Sequence, residues 1–437
     1  MRTVTFSILY CATFISLGAP TVEHLPIEAE EVETPCETDP VISVGIGIVL
    51  SGIVLIMSIL TCLLWVLCKS KKNCRSSENR QVVVNPMLEL QSVPIDLNYV
   101  EDLDTNCYEI KLENLEIVSG SLILSESVAV SKGLLHIRNP SGEEHGCLEV
   151  AVKGAANNRS CSDYTIYKEL MLMCAIGKHS DVLTLIGAVT SLGRHKTMIV
   201  SEHVECGDLL NYLRQNRERF QAKQPIWSNE DNSGYLIPKS KPIENSLYTS
   251  GLLSFAYQIA NGMKHLASVL CVHRDLALRN ILVKRNKIIR ISDFGVLSGY
   301  DVPLPFFWLA PECFEEYKFS EKTDVWAFGI CLYELFSLGE TLYKDIPASG
   351  NTVDAIIEFL KVGNRLPQPE HCSFRSYEFM KLCWSTDPIK RPTFDECKNF
   401  FADELKDLSP QMFENIKNIL QEESAKQIDL VNLIYAK

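Results

Sequence analysis

Three side chains in the middle of the chain have types and spacing suited to one reaction. His273-Arg274-Asp275-Leu276-Ala277-Leu278-Arg279-Asn280 is followed, twelve residues on, by Asp293-Phe294-Gly295. Asp275 offers a carboxylate for a hydroxyl proton, Asn280 an amide oxygen for a metal, and Asp293 a carboxylate for Mg²⁺. Phosphoryl transfer from ATP needs these groups, because its catalysis is positioning and charge neutralisation. The elements that must position them are short. Ile281–Val283 and Ile288–Ser292 read as two strands joined by the polar turn 284–287. Such a hairpin brings Asn280 and Asp293 to one metal site.

The two motifs, in this order and separation, resemble those of the protein kinases, and the resemblance covers about 115–402. It implies an α+β, two-lobed protein kinase fold with a β-rich N-lobe and an α-helical C-lobe. Val150-Ala151-Val152-Lys153 is an apolar strand ending in a lysine, similar to the strand whose lysine holds the ATP α- and β-phosphates. Lys168–Met173 reads as helix, with Glu169 as the partner that fixes Lys153. Ser201–Asp208 resembles the interlobe hinge. The resemblance implies that the Glu202 carbonyl and Val204 amide bind the adenine edge, that Ser201 backs the pocket, and that Val130, Ala151 and Leu282 contact the nucleotide. Asp275 would be the catalytic base, Arg279 a neutraliser of the phosphoryl group, and Asn280 and Asp293 the metal ligands.

Gly207–Arg214 resembles the split-kinase receptors of the platelet-derived and stem-cell growth factor group. A polar, turn-rich insert at 221–247 fits that resemblance. Ala277 and Arg279 follow the receptor tyrosine kinase arrangement, so tyrosine in protein substrates is the expected acceptor. Asp324–Gly329 opens an apolar helix, and Glu312 and Arg391 resemble the family's buried salt bridge. Residues 403–437 read as a mixed, partly amphipathic tail. Tyr99 and Tyr108 are candidate phosphorylation sites, with packing against the kinase lobe as the plainer reading of both, and Tyr235 and Tyr248 are candidate docking tyrosines.

Three departures bear on rate. With Val130 as the final valine of the phosphate-covering loop, Ile123, Ser125 and Val128 stand where glycines belong. Glycine matters there because backbone N–H groups must approach phosphate oxygens without Cβ obstruction. Bulky residues should weaken that contact or stiffen the hairpin. The activation segment, Val296–Leu309 with the single Tyr300, is short, and Phe307 replaces an expected basic residue. These features keep open an alternative: a membrane-anchored pseudokinase scaffold with weak or no catalysis.

The 437 residues suit a domain of that size plus appendages, and a net charge of −13 argues against nucleic acid as a partner. Sixteen cysteines without paired spacing indicate neither a zinc module nor a disulfide scaffold. Arg2 and the apolar run after it read as a signal peptide at 1–18. Val41–Cys68 is uncharged and long enough to cross a bilayer. Lys69, Lys71, Lys72 and Arg75 follow, whereas 19–40 carries seven acidic residues and no Lys or Arg, so the positive-inside rule places the N-terminus outside. The expected layout is a single transmembrane helix at 41–68, a juxtamembrane linker at 69–114 and a cytosolic kinase domain: a type I cell-membrane protein. Ser43, Gly47 and Ser51 share one helix face and suit close packing of two spans. The external segment is too short for a folded module. Activation is therefore expected through a homodimer, a co-receptor or a disulfide at Cys36.

Overall fold

Alternation of buried and half-exposed residues shapes the first part of the molecule. The computed structural model describes residues 108–118, 122–123, 128–138, 144–155, 160–190, 197–221, 227–228, 237–238, 247–294, 305–346 and 352–435. The expected signal peptide, external segment, membrane span and most of the juxtamembrane linker lie outside them, as do Tyr99, Tyr235 and Tyr300. Among the described residues, no helix is long and apolar enough to cross a membrane.

Strands β1 (Leu115–Ile117), β2 (Leu122–Ile123), β3 (Val128–Arg138), β4 (Glu144–Ala155), β5 (Leu185–Val189) and β6 (Met198–Glu202) form an antiparallel sheet. Its order is β1-β3-β4-β6-β5, with β2 also on β3. Successive strand residues point to opposite faces. Val150 and Val152 therefore join Ile110, Leu115, Leu135, Ile186, Val189 and Val200 in one core, while Ala151 and Lys153 face the other way. The register sets Val130 opposite Lys153 and Ala151 opposite Ser201. Leu122 pairs with Val130 and Ile123 with Ala129, so the glycine-poor segment is a hairpin whose tip, 124–127, lies outside the described residues.

Helix α1 (Ser160–Ile176) follows β4. Its buried Ile166, Leu170, Met173 and Ile176 recur at helical spacing and bring Glu169 inward with them. The Asp208 carboxylate accepts from Asn211 N and starts α2 (Leu209–Asn216). Beyond it, β7 (Phe220–Gln221) pairs with β10 (Leu247–Tyr248) and closes the base of the insert, within which β8 (Trp227–Ser228) meets β9 (Ile237–Pro238). The chain then enters α3 (Thr249–Ser268), buried along most of its length.

The expected hairpin is present: β11 (Ile281–Val283) pairs with β12 (Ile289–Ile291), Ile281 opposite Ile291. The helical lobe continues with α4 (Pro311–Glu316), α5 (Glu321–Phe336), α6 (Thr352–Lys361), α7 (Phe374–Cys383) and α8 (Phe394–Leu408). Capping boxes at Ser320/Thr323 and Thr393/Glu396 start α5 and α8. Gly329 lets α5 lie against Trp384, whose Nε1 would stand 2.5 Å from an added Cβ. Arg391 clasps Glu312 at 2.6 and 2.9 Å, the expected ion pair. Tyr108 packs against the main core.

The segment read as a mixed tail is a 26-residue helix, α9 (Pro410–Tyr435). Phe413, Ile416 and Leu420 enter the same core as α3 and α8. Farther along, Leu430 and Ile434 pack against the core of the sheet.

Candidate active site

The strand–helix geometry brings Lys153, Glu169 and Asp293 together. Lys153 Nζ lies 2.7 Å from Glu169 Oε1 and 2.5 Å from Asp293 Oδ1. Burial opposes the charge on Lys153, yet Glu169 and Asp293 outweigh it and raise its pKa above the ordinary lysine value. Burial also works against an ionised Asp293; Lys153 and the Ser292 hydroxyl overcome it and hold the carboxyl below its ordinary value. Glu169 goes the other way, because burial outweighs the pull of Lys153. The site therefore holds a cationic lysine beside an ionised Asp293. The Asp293 backbone is left-handed, φ 55°, a conformation that a short polar side chain tolerates best. It turns the carboxylate toward Lys153 while Phe294 is buried beside the His273 ring.

Asp275 is held from several sides. Asn280 Nδ2 donates to the Asp275 backbone oxygen at 2.7 Å and to Oδ2 at 2.8 Å. The Arg279 guanidinium pairs with Oδ1 and stacks 4.2 Å over the Trp308 ring. Both Asn280 bonds use the amide nitrogen, which leaves the oxygen as the end for a cation. Ser292 ties Asn280 to Asp293, since its hydroxyl reaches Asn280 O at 3.0 Å and Asp293 Oδ2 at 3.3 Å. The β11–β12 hairpin thus sets the Asn280 backbone oxygen and the Asp293 carboxylate on either side of one hydroxyl.

Sequence reasoning missed the groups beneath this loop. Asp324, wholly buried, accepts from His273 N at 2.7 Å and Arg274 N at 2.9 Å. Burial pushes its carboxyl up to about 7 against those two N–H groups. Glu334 Oε2 accepts from Trp308 Nε1 at 3.0 Å and Leu278 N at 3.1 Å, so one carboxylate fixes both the loop and the residue under Arg279. The only signal available was two acids inside an otherwise apolar helix.

The residues expected at the hinge and around the nucleotide lie among the described ones. Ser201 is buried, and Val130, Ala151, Glu202, Val204 and Leu282 are half-buried. Beyond Val204, Cys206 N donates to Val283 O at 3.1 Å and Val283 N to Gly207 O at 2.9 Å, which joins the hinge to the strand carrying Leu282. Asn280 and Asp293 could offer two oxygen donors to a divalent cation, too few for a closed cage and the kind of partial set that phosphate oxygens and water would complete.

Residues 126–401 match the family described as protein tyrosine and serine/threonine kinase. The chain is 40% identical over 384 residues to the tyrosine-protein kinase receptor old-1 of Caenorhabditis elegans, covering 83% of this chain and 72% of that protein. It is 37% identical over 391 residues to the receptor-like tyrosine-protein kinase kin-15 of the same organism, covering 82% and 76%. Against the mast/stem cell growth factor receptor Kit of Gallus gallus it is 32% identical over 307 residues, or 57% of this chain and 31% of that receptor.

Proposed function

We propose, from the premise that the chain belongs to the protein tyrosine and serine/threonine kinase family and is a receptor-like protein tyrosine kinase, a specific role for each site residue. Lys153, fixed by Glu169, holds the ATP α- and β-phosphates. Val130, Ala151 and Leu282 enclose the adenine, and the Glu202 carbonyl and Val204 amide bind its edge. Asn280 and Asp293 hold Mg²⁺, which when bound neutralises charge on the phosphates. Asp275 orients the tyrosine hydroxyl and takes its proton; Arg279, anchored on Trp308, neutralises the transferred phosphoryl group.

The observation that carries this reading is the convergence of Lys153, Glu169 and Asp293 within 2.7 Å, with Asn280 joined to Asp293 through Ser292. Such a set performs phosphoryl transfer by positioning rather than covalent chemistry. The pseudokinase alternative has less support: every charged group it would lack is present, and the named relatives are tyrosine kinases. The glycine-poor loop bears on rate.

We further propose that 41–68 spans the cell membrane once with the N-terminus outside, and that protein tyrosines are phosphorylated on the cytosolic side. Assembly as a homodimer or with a co-receptor would bring two such domains together. The test is tyrosine phosphate formed by the full chain in lipid nanodiscs with ATP and Mg²⁺, against Asp275→Asn. Equal signals from the two proteins overturn the enzymatic reading.

A further inference from the structure

The back of the hinge carries a cluster of charges that the reaction does not use. Arg290, fully buried in β12, donates from Nε to Glu202 Oε1 at 2.8 Å and from Nη2 to Glu423 Oε2 at 2.7 Å. Lys284 Nζ reaches the same Glu423 oxygen at 2.6 Å and Glu202 Oε2 at 3.6 Å. Glu202 also accepts from Thr184 N at 3.0 Å and Thr184 Oγ1 at 2.6 Å. Two carboxylates and two cations therefore meet in a largely buried site, with the exposed Lys426 reaching Glu423 Oε1 at 3.7 Å from the solvent side. One carboxylate belongs to the hinge and the other to α9.

Helix α9 is seated on both lobes. Its first half lies in the helical core, with Phe413 edge-on to Tyr257 at 5.7 Å. Its second half touches the sheet core through Leu430 and Ile434, and Gln427 donates to His179 O at 3.3 Å. Glu423 sits between the two anchorages, level with the hinge cluster. Burial opposes its charge, but Lys284 and Arg290 overcome this and hold the carboxyl below its ordinary value.

We infer that Glu423 is a positioning residue for the nucleotide hinge: through Arg290 and Lys284, α9 fixes the Glu202 carboxylate and with it the backbone that binds adenine. This rests on the hinge reading given above. Neutralising Glu423 leaves the buried Arg290 and the half-buried Lys284 competing for the one carboxylate on the hinge, so Glu202 moves and the hinge loses its preset geometry. A helix anchored on both lobes also restrains the lobe opening that releases ADP.

The test uses the full chain in nanodiscs, with steady-state kinetics and stopped-flow release of a fluorescent ADP analogue. Glu423→Gln is expected to raise both KM for ATP and the ADP release rate by about fivefold, the low end of ordinary intersite coupling, without lowering kcat. Phe401→Leu, in the helical core away from the cluster, should lower Tm and leave both quantities alone. If Glu423→Gln behaves as Phe401→Leu does, the residue is only structural and the inference is overturned. Val204→Pro, which removes the hinge N–H, separates the two readings. Normal nucleotide binding by that variant overturns the hinge reading itself. Loss of binding there, with Glu423→Gln unchanged, overturns the role of α9 alone.

Discussion

Asp324→Asn separates catalytic positioning from stability. In the native site the carboxylate receives the N–H groups of His273 and Arg274 at 2.7 and 2.9 Å. Those bonds hold Arg274 in a left-handed conformation, φ 68°, which costs a residue with a Cβ about 1–2 kcal/mol. Asparagine can accept one of the two N–H groups and turns its NH₂ toward the other. The raised pKa already nets both N–H bonds against burial, so the separate cost of the change is one stranded N–H, at about 1–3 kcal/mol, beside one neutral bond near 1 kcal/mol. Against this loss stands relief of the buried charge. A carboxyl pushed from 3.8 up to about 7 carries a net penalty of roughly 4 kcal/mol when ionised.

The two sums nearly cancel, so Tm should stay within roughly 5 °C of the parent. Activity has no such compensation. Arg274 relaxes, Asp275 follows as its neighbour, and a displacement of about 1 Å is worth roughly 100-fold in kcat. Scanning calorimetry and peptide phosphorylation on the same preparation measure both. A variant keeping more than about a third of kcat would show that Asp324 does not position the loop, and the argument would fail.

Other outcomes follow from the same geometry. Glu312→Gln leaves the fully buried Arg391 with carbonyl partners but no countercharge; Tm should fall by roughly 6–12 °C, a loss of about 3 kcal/mol, and a double-mutant cycle with Arg391→Met should show clear coupling. Gly329→Ala sets a Cβ against Trp384 and should cost about 1–3 kcal/mol by chemical denaturation. Asp181 is wholly buried, and burial raises its carboxyl from 3.8 to about 7 despite a hydrogen bond from Asn261 at 2.5 Å. Between those values the folded state binds more protons than the unfolded one, so its contribution to stability falls as pH rises through the window. Denaturation of Asp181→Asn from pH 4 to 7 should show a flatter fall than the parent, and an unchanged slope would assign the effect elsewhere.

The clustering of the candidate catalytic residues was legible because its parts are local or carried by period. Asp275 and Asn280 share one loop, Asn280 and Asp293 flank one hairpin, and the alternation through Val150–Lys153 gives the face of Lys153. Glu169 was legible by its place on the next apolar helix. The groups beneath were not. Asp324 and Glu334 are acids within an apolar helix, and nothing local says which loop they will meet. Arg290 reads as the polar residue of a short strand, whereas the fold buries it between the hinge and a helix more than a hundred residues away. Glu423 and Gln427 continue the stripe of Phe413, Ile416 and Leu420, but as polar residues they read as an exposed face. Their burial depends on contacts no periodicity reports.

The parallel contact between Phe220–Gln221 and Leu247–Tyr248 has a consequence for how this chain can change over generations. With both ends of the insert pinned at its base, its length enters folding only through loop-closure entropy, and doubling it costs about 0.6 kcal/mol. Helices α2 and α3 keep their caps and burial whatever lies between. The insert is thus a place where recognition motifs can be gained, lost or rewritten while the chemistry on either side of it is inherited intact.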